Sequence, residues 1–436
     1  MNGSDRRTAA ACPRSAARDS LYTPVRVVDL DLDDPSGLHS PGGLGAVDPV
    51  GRVLALVRLH GHPLGLVTAT GTAGDSAALR RALVDAAHRE LPVPALSTAT
   101  PAARPGRVGR ARVPAGPITV SVVVATHNRE DMLRQCLDSV LRNGYPHVEV
   151  IVVDSAPSSD AAERLIRDGY AGRVRYLREP VAGVARAHNR ALAAARGEVI
   201  AIADDDTLVD PRWISTLVEV FRSDDRVGCV TGLILPAELE TPAQAALHEH
   251  GSFDKGFATR SWSLRRPPAD RLFPFTAGKF GSGANMAFRT DVLRAFGGFD
   301  PLIGTGSPAY GGHDLLAFFQ VIANGHTLVY QPEAIVWHRH RQTEEALLNQ
   351  AYGYGAGLGA YLVAAAVREP RMLPELLRRT PRGIAYAASR ARGRRTSAGL
   401  GSRSSRLSRL EFQGLLYGPI GYLHSLFRSR TTPRTR

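Results

Sequence analysis

Lysine is almost missing from this chain: Lys255 and Lys279 are the two lysines among 436 residues. The formal net charge of +13 is therefore an arginine charge. Arginine bias beside abundant alanine is also what high-GC coding produces, which weakens a nucleic-acid reading of the basicity. Cysteine is scarce too. Cys12, Cys136 and Cys229 show neither disulfide nor metal-ligand spacing and sit in no nucleophile motif, which suits a reducing compartment. No run reaches the roughly 18 apolar residues that span a bilayer. No apolar stretch follows Arg6, Arg7, Arg14 and Arg18 to act as a signal peptide, so a cytoplasmic location is expected. Neither G-x-G-x-x-G nor a P-loop follows the strand opening the main domain, so a classical dinucleotide or ATP site is not expected.

What is present is the composition of a globular protein, 44% apolar and 22% charged, long enough for one large domain or a few ordinary ones. The charge is uneven. Residues 371–436 hold 15 arginines and 2 glutamates, which accounts for the whole excess and leaves the body near neutral. Composition divides the chain into a polar, Ala/Arg-rich, disordered start (1–20) and a small α+β module (21–91). A Pro/Ala/Gly/Arg linker (92–117) leads to a main domain (118–345) and a helical basic C-terminal region (346–436).

The densest chemistry lies in Gly197-Glu198-Val199-Ile200-Ala201-Ile202-Ala203-Asp204-Asp205-Asp206. The apolar run is a buried strand, and three adjacent carboxylates at its tip repel one another unless a cation joins them. Hard divalent ions such as Mg²⁺ or Mn²⁺ take oxygen ligands and are often held by one or two carboxylates plus substrate phosphates. Alternatively, Asp206 could cap a helix entered through Asp210-Pro211-Arg212-Trp213.

Other strands end in the same manner. Ile118 to Ala125 runs into Thr126-His127-Asn128-Arg129, and Val148 to Val153 runs into Asp154-Ser155. Helical spacing at Met132, Leu133, Cys136, Leu137 and Val140, and helices near 161–166 and 183–195, separate the strands. Such alternation predicts an α/β fold with a doubly wound, mainly parallel sheet, its polar strand tips converging on one edge. With no phosphate loop there, a metal on the acids would have to neutralise a bound diphosphate.

The succession Val-Val-Val-Ala-Thr-His-Asn-Arg, Val-Ile-Val-Val-Asp-Ser, Gly-Val-Ala-Arg-Ala-His-Asn-Arg-Ala and Gly-Glu-Val-Ile-Ala-Ile-Ala-Asp-Asp-Asp resembles family 2 glycosyltransferases of the GT-A fold, over residues 118–341. The resemblance implies a Rossmann-like catalytic domain. Thr126, Asn128 and Arg129 would line the nucleotide pocket and Asp154 would bond the base. Arg186 and Asn189 would face the nucleotide from a helix. Asp204 and Asp205 would lie on the ribose side, with Asp206 and Asp204 on the metal. Phe280-Gly-Ser-Gly-Ala-Asn resembles the segment beside donor sugar and acceptor, which points to Gly281, Gly283 and Asn285. Gly311-Gly312-His313-Asp314-Leu315 occupies the place of the family's acidic pair. Asp314 takes the general-base position. His313 departs from the usual acid and would position the acceptor or share the proton transfer. Some relatives carry a Trp-His whose histidine completes the metal site, which here prefers His338 over His340.

Blander readings stand beside these. Arg186 could be a solvated helix residue, and Thr126 and Asn128 could simply end a strand. Gly281 and Gly283 could form an ordinary turn, and the His/Arg alternation at 338–341 could be a basic strand edge. Glycines between Tyr352 and Gly359, and apolar residues between Phe412 and Phe427 flanked by arginine, fit an interfacial helix on the cytoplasmic face of the membrane. A helix packed on the enzyme's own core, or an oligomer contact, fits as well.

The sequence thus predicts an inverting, Mn²⁺- or Mg²⁺-dependent enzyme. Its donor would be a nucleotide-diphospho-sugar, UDP-linked first, with dTDP- or GDP-sugars as alternatives. Its acceptor would be a glycan, a lipid-linked molecule or a small molecule, and no specific nucleic acid is expected. A nucleotidyltransferase would carry a phosphate loop after the first strand, and none is there. A catalytically degenerate scaffold finds support only in His313.

Overall fold

The computed structural model describes residues 24–34, 37–92, 116–250, 253, 255–396 and 401–431. The expected disordered start and nearly all of the expected linker lie outside the described residues.

The N-terminal module is a three-stranded sheet of β1 (Val25–Asp31), β2 (Gly51–Leu59) and β3 (His62–Gly71), followed by α1 (Ser76–Glu90). Strand periodicity of two explains its place in the molecule. On β2, Val53, Ala55 and Val57 pack under Leu79 and Leu83 of α1. The intervening Leu54 and Leu56 join the core of the main domain. A buried arginine reinforces that seam: Arg58 donates to Asp29 at 2.7 Å and to Asp210 of the main domain at 2.6 Å. The module is therefore welded to the main domain.

The main sheet runs in spatial order β10-β12-β9-β11-β7-β4-β5-β6, with β8 paired to β12. Its first half alternates strand and helix. This half comprises β4 (Val120–Thr126), α2 (Glu130–Leu141), β5 (Val148–Ser155), α3 (Ala161–Gly169), β6 (Val174–Glu179), α4 (Val184–Ala194) and β7 (Val199–Asp204). Those four strands pair in parallel. Val120, Val122 and Val124 face one helical layer, whereas Ile200 and Ile202 face the other. Burial on both faces explains why these strands read as continuous apolar runs.

The second half is mixed: β8 (Thr207–Val209), α5 (Trp213–Ser223), β9 (Val227–Pro236), α6 (Pro242–His250), β10 (Arg260–Trp262), β11 (Asn285–Arg289), α7 (Thr290–Ala295), α8 (His313–Ala323) and β12 (Thr327–His338). Strand β11 is antiparallel to both β7 and β9, so the loop before it opens at the edge where β7 ends. Pro332 does not interrupt β12. Strand β12 continues through it, with a register shift between Gln331 and Ile335 that absorbs the missing donor.

Three helices complete the chain: α9 (Glu344–Arg368), α10 (Leu373–Thr396) and α11 (Gly401–Thr431). Ala360, Tyr361 and Ala364 of α9 belong to the main core, so this region is continuous with the main domain. No helix among the described residues is long and apolar enough to cross a membrane.

Candidate metal and transfer site

The three acids leave β7 at the edge where Thr126 pairs with Asp154 and Ala125 with Asp204. Asp206 is 4% exposed and caps no helix, since the residue before α5 is Arg212. Instead β8 turns back so that Thr207 pairs with His338. That antiparallel pairing delivers the imidazole. His338 Nε2 stands 3.2 Å from Asp206 Oδ1, yet misaligned, so that oxygen lacks a hydrogen-bond partner. Ligand atoms of Asp204, Asp206 and His338 all lie within 4.8 Å of one another. Two carboxylates and an imidazole with an orphaned buried oxygen suit a divalent cation of the Mn²⁺ type.

The electrostatics are those of crowded charges. Burial, then Asp206, push the Asp204 carboxyl up to about 7. Burial alone would raise Asp206 as well, but His338, Arg341 and Arg129 hold it well below the usual carboxylate range. Burial opposes the His338 cation, yet Asp206 outweighs it and raises the imidazole above its ordinary value. His338 Nδ1 meets His340 Nδ1 at 3.1 Å, so one ring must donate and the other accept. If His338 turns Nε2 toward a metal, its Nδ1–H donates to His340. His340 is the contributor that the sequence reading set aside; the alternation of histidines at 338 and 340, facing one side of a strand, was its signal.

Several predicted nucleotide-side residues hold the site together instead of lining it. Thr126 is buried and donates its hydroxyl to Asp205 Oδ2 at 2.8 Å. Asp205 also accepts from Arg129 at 3.1 Å. Thr126 and Asp205 together clamp the acid loop to the end of β4. Arg129 keeps a reach beyond this clamp, at 3.2 Å from Asp206 and with its side chain one third exposed. Asn128 is exposed, at φ +51°, and its carbonyl oxygen accepts from both the amide and the hydroxyl of Ser158. Asp154 accepts from Tyr176 at 3.0 Å while its other oxygen is buried without a partner.

Asn189 also holds neighbouring backbone. Its amide exchanges two hydrogen bonds with the backbone of Phe299, at 2.7 and 2.8 Å, fixing α4 to the following loop. Arg186, one turn earlier, makes no hydrogen bond or ion pair among the described residues.

On the other side of the edge, Asp314 begins α8 and accepts from the Gly283 amide at 2.9 Å. Gly312 caps that helix at φ +90°, and a Cβ there would lie 2.3 Å from the Gly357 carbonyl. Only glycine fits. A Cβ on Gly281 would strike Thr231 at 2.5 Å, so its glycine serves packing. Asn285 leaves the predicted loop altogether. It is fully buried, donates to Leu233 and Ala334 at 3.0 and 2.8 Å, and accepts from Trp213 at 2.9 Å. It stitches the β12 bulge to the sheet.

His313 takes a different direction from its neighbour. Consecutive helix residues point about 100° apart, so Asp314 faces Gly283 while His313 turns into the interior. There it packs against His188 and Phe299, at ring separations of 5.4 and 5.6 Å, with both nitrogens buried and unpartnered. Burial depresses its basicity. In this arrangement no hydrogen bond reaches either ring nitrogen.

A mainly parallel α/β sheet whose strand tips gather carboxylates, an imidazole and an isolated aspartate is consistent with a GT-A type fold. Residues 121–297 match the Glycosyl transferase family 2 model. The chain is 25% identical over 232 residues to a glucosyl-dolichyl phosphate glucuronosyltransferase of Haloferax volcanii, covering 50% of this chain and 69% of that one. It is 30% identical over 271 residues to a pre-mycofactocin glycosyltransferase of Mycobacterium tuberculosis, covering 60% of this chain and 51% of the other. A mannosyltransferase from Pyrobaculum calidifontis, solved with GDP-Man and Mn²⁺, aligns at TM-score 0.47 and 19% identity over 70% of this chain and 88% of its own. The chain thus spans about half to two thirds of these curated relatives.

Proposed function

We propose that the protein transfers a sugar from a nucleotide-diphospho-sugar to an acceptor hydroxyl by single displacement with inversion. The observation that carries this reading is the spatial convergence of Asp204, Asp206 and His338 at the sheet edge where Asp314 meets Gly283. Asp204, Asp206 and His338 would hold a Mn²⁺ or Mg²⁺ ion, which supplies charge stabilisation to a departing nucleoside diphosphate. Arg129 and Arg341, 3.2 and 3.9 Å from Asp206, add positive charge beside that position. Asp314, in the first turn of a helix and held by one amide, keeps a carboxylate oxygen for the proton of an acceptor hydroxyl. The unpartnered oxygen of Asp154 supports a contact to a donor N–H of the base.

UDP-sugars are the first donor to try, then dTDP- and GDP-sugars. A glycan, lipid-linked or small-molecule acceptor all fit; the Haloferax relative, named for glucosyl-dolichyl phosphate, favours the lipid-linked class. We place the enzyme in the cytoplasm, in peripheral contact with the inner membrane face. Turnover across a panel of UDP-, dTDP- and GDP-sugars with Mn²⁺, Mg²⁺ or EDTA tests the proposal. One donor hydrolysed or transferred only with metal is the expected result. In that assay Asp314→Asn loses about 10²–10⁴-fold in transfer while donor binding persists. Metal-independent turnover, or equal loss of binding and transfer, contradicts the roles assigned.

A further inference from the structure

Helix α11 packs inward through Leu407 and Tyr422 and, between them, through small residues: a Cβ on Gly414 would lie 2.1 Å from the Tyr352 carbonyl, and one on Gly418 2.5 Å from that of Ala356. Gly355 and Gly359 of α9 answer them: a Cβ on each would lie 1.8 and 2.3 Å from the Glu411 and Leu415 carbonyls respectively. Its outer face carries the large apolar side chains. Phe412, Leu416, Ile420, Leu423 and Phe427 are exposed, Leu416 by 63% and Ile420 by 61%. At 3.6 residues per turn these five fall within about 80° of arc. Arg409 and Arg430 share that arc at either end of the stripe. Glu411, the one acid in residues 401–431, lies off it and pairs inward with His250 at 3.0 Å.

A second feature adjoins the stripe. Between α9 and α11 lies a groove of about 390 Å³ lined by Leu348, Tyr352, Arg406 and Arg409, among others. Neither arginine pairs with a carboxylate among the described residues. The whole charge excess of the protein, +13, resides in residues 371–436.

We propose that the outer face of α11 docks on an anionic lipid surface, its apolar stripe entering the headgroup boundary and the Arg406–Arg409 groove seating a lipid phosphate. This deepens the peripheral membrane contact of the proposed function and rests on that part of it. Apolar stripe and clustered arginine are complementary to such a surface. No described helix spans a bilayer, so the helix lies on the membrane. The docked helix also reaches the transfer site. Tyr417 of α11, Tyr352 of α9 and Tyr310 form an aromatic trio with centroids 5.6–6.1 Å apart. Gly421 packs against Pro308 and Ala309, in the loop that leads to Asp314. An acceptor carried in the bilayer would therefore meet Asp314 from the docked side.

Sedimentation of the full chain with phosphatidylcholine vesicles, and with vesicles also containing phosphatidylglycerol, tests this without requiring turnover. Binding is expected to the anionic vesicles. Leu416→Gln/Ile420→Gln and Arg406→Gln/Arg409→Gln should each weaken it by roughly tenfold or more, with the melting temperature kept. Absence of binding to both vesicle types overturns the proposal, as does unchanged binding by either double variant. So does a wild-type dimer that the apolar variant turns into a monomer without any lipid affinity. Donor turnover, measured separately without vesicles, reports on the transfer chemistry, so failure of one reading is distinguishable from failure of the other.

Discussion

Two pairs of buried histidines lie in the same domain with opposite proton behaviour. His338 and His340 touch through their Nδ1 atoms beside Asp206; His188 and His313 stack 5.4 Å apart with no carboxylate in hydrogen-bond reach. Burial disfavours the cation at all four. At His338 the Asp206 charge reverses the outcome and raises the imidazole. Its partner His340 drops to about 2, through burial and then the His338 charge. His188 is held well below its ordinary value by burial and then by His313. The partner, not the depth, decides the charge, and one pair faces chemistry while the other fills space.

The comparison breaks hardest at the carboxylate. Asp206→Asn removes the charge that raises the His338 imidazole and one of the three candidate ligands. Turnover should fall by about 10³-fold or more, read as a kcat loss that added Mn²⁺ does not restore. A smaller effect follows at the partner ring. His340→Leu leaves His338 without its Nδ1 partner, and Mn²⁺ affinity should fall by roughly 10–100-fold, read by titration, with folding intact.

The smallest effects separate the pairs by pH. A raised His338 stabilises the metal-free fold fully below its unfolded value of 6.5 and loses that contribution as pH rises through the folded value. The melting advantage of wild type over His338→Gln should therefore shrink between pH 6 and 8. Lowered His313 has the opposite sign: the native state resists its protonation, so stability is lost as pH falls below 6.5. His313→Phe should then gain on wild type by about 2 °C or more as the buffer is acidified, with turnover nearly unchanged. Equal pH trends for the two variants would erase the distinction between the pairs.

Much of this site was legible in the sequence, for reasons that also mark where legibility ended. Apolar runs followed by polar residues located β4, β5 and β7, because strands buried on both faces must be apolar and ligand groups collect at their ends. Asp206, Asp314 and His338 stood out as charged or titratable residues beside such runs. Direction was what the one-dimensional pattern lacked. His313 and Asp314 are neighbours in sequence, but a helix turns them to different surroundings. Asn285 read as a loop residue because the bulge in β12 that consumes its amide lies 49 residues away in the chain. Thr126 and Asp205 were assigned to a ligand, whereas each satisfies the other across two strands. Strand β9, buried along its whole length, escaped notice between glycines and a proline.

The central claim is that Asp204, Asp206 and His338 form one cation site. Mn²⁺ titration followed by electron paramagnetic resonance, in the wild type and in Asp206→Asn with a bound nucleoside diphosphate, tests it most directly. The account predicts a single bound Mn²⁺ in the wild type, weakening at low pH as the ligands take up protons, and its loss in the variant. Full Mn²⁺ occupancy in Asp206→Asn, or none in the wild type, would contradict it.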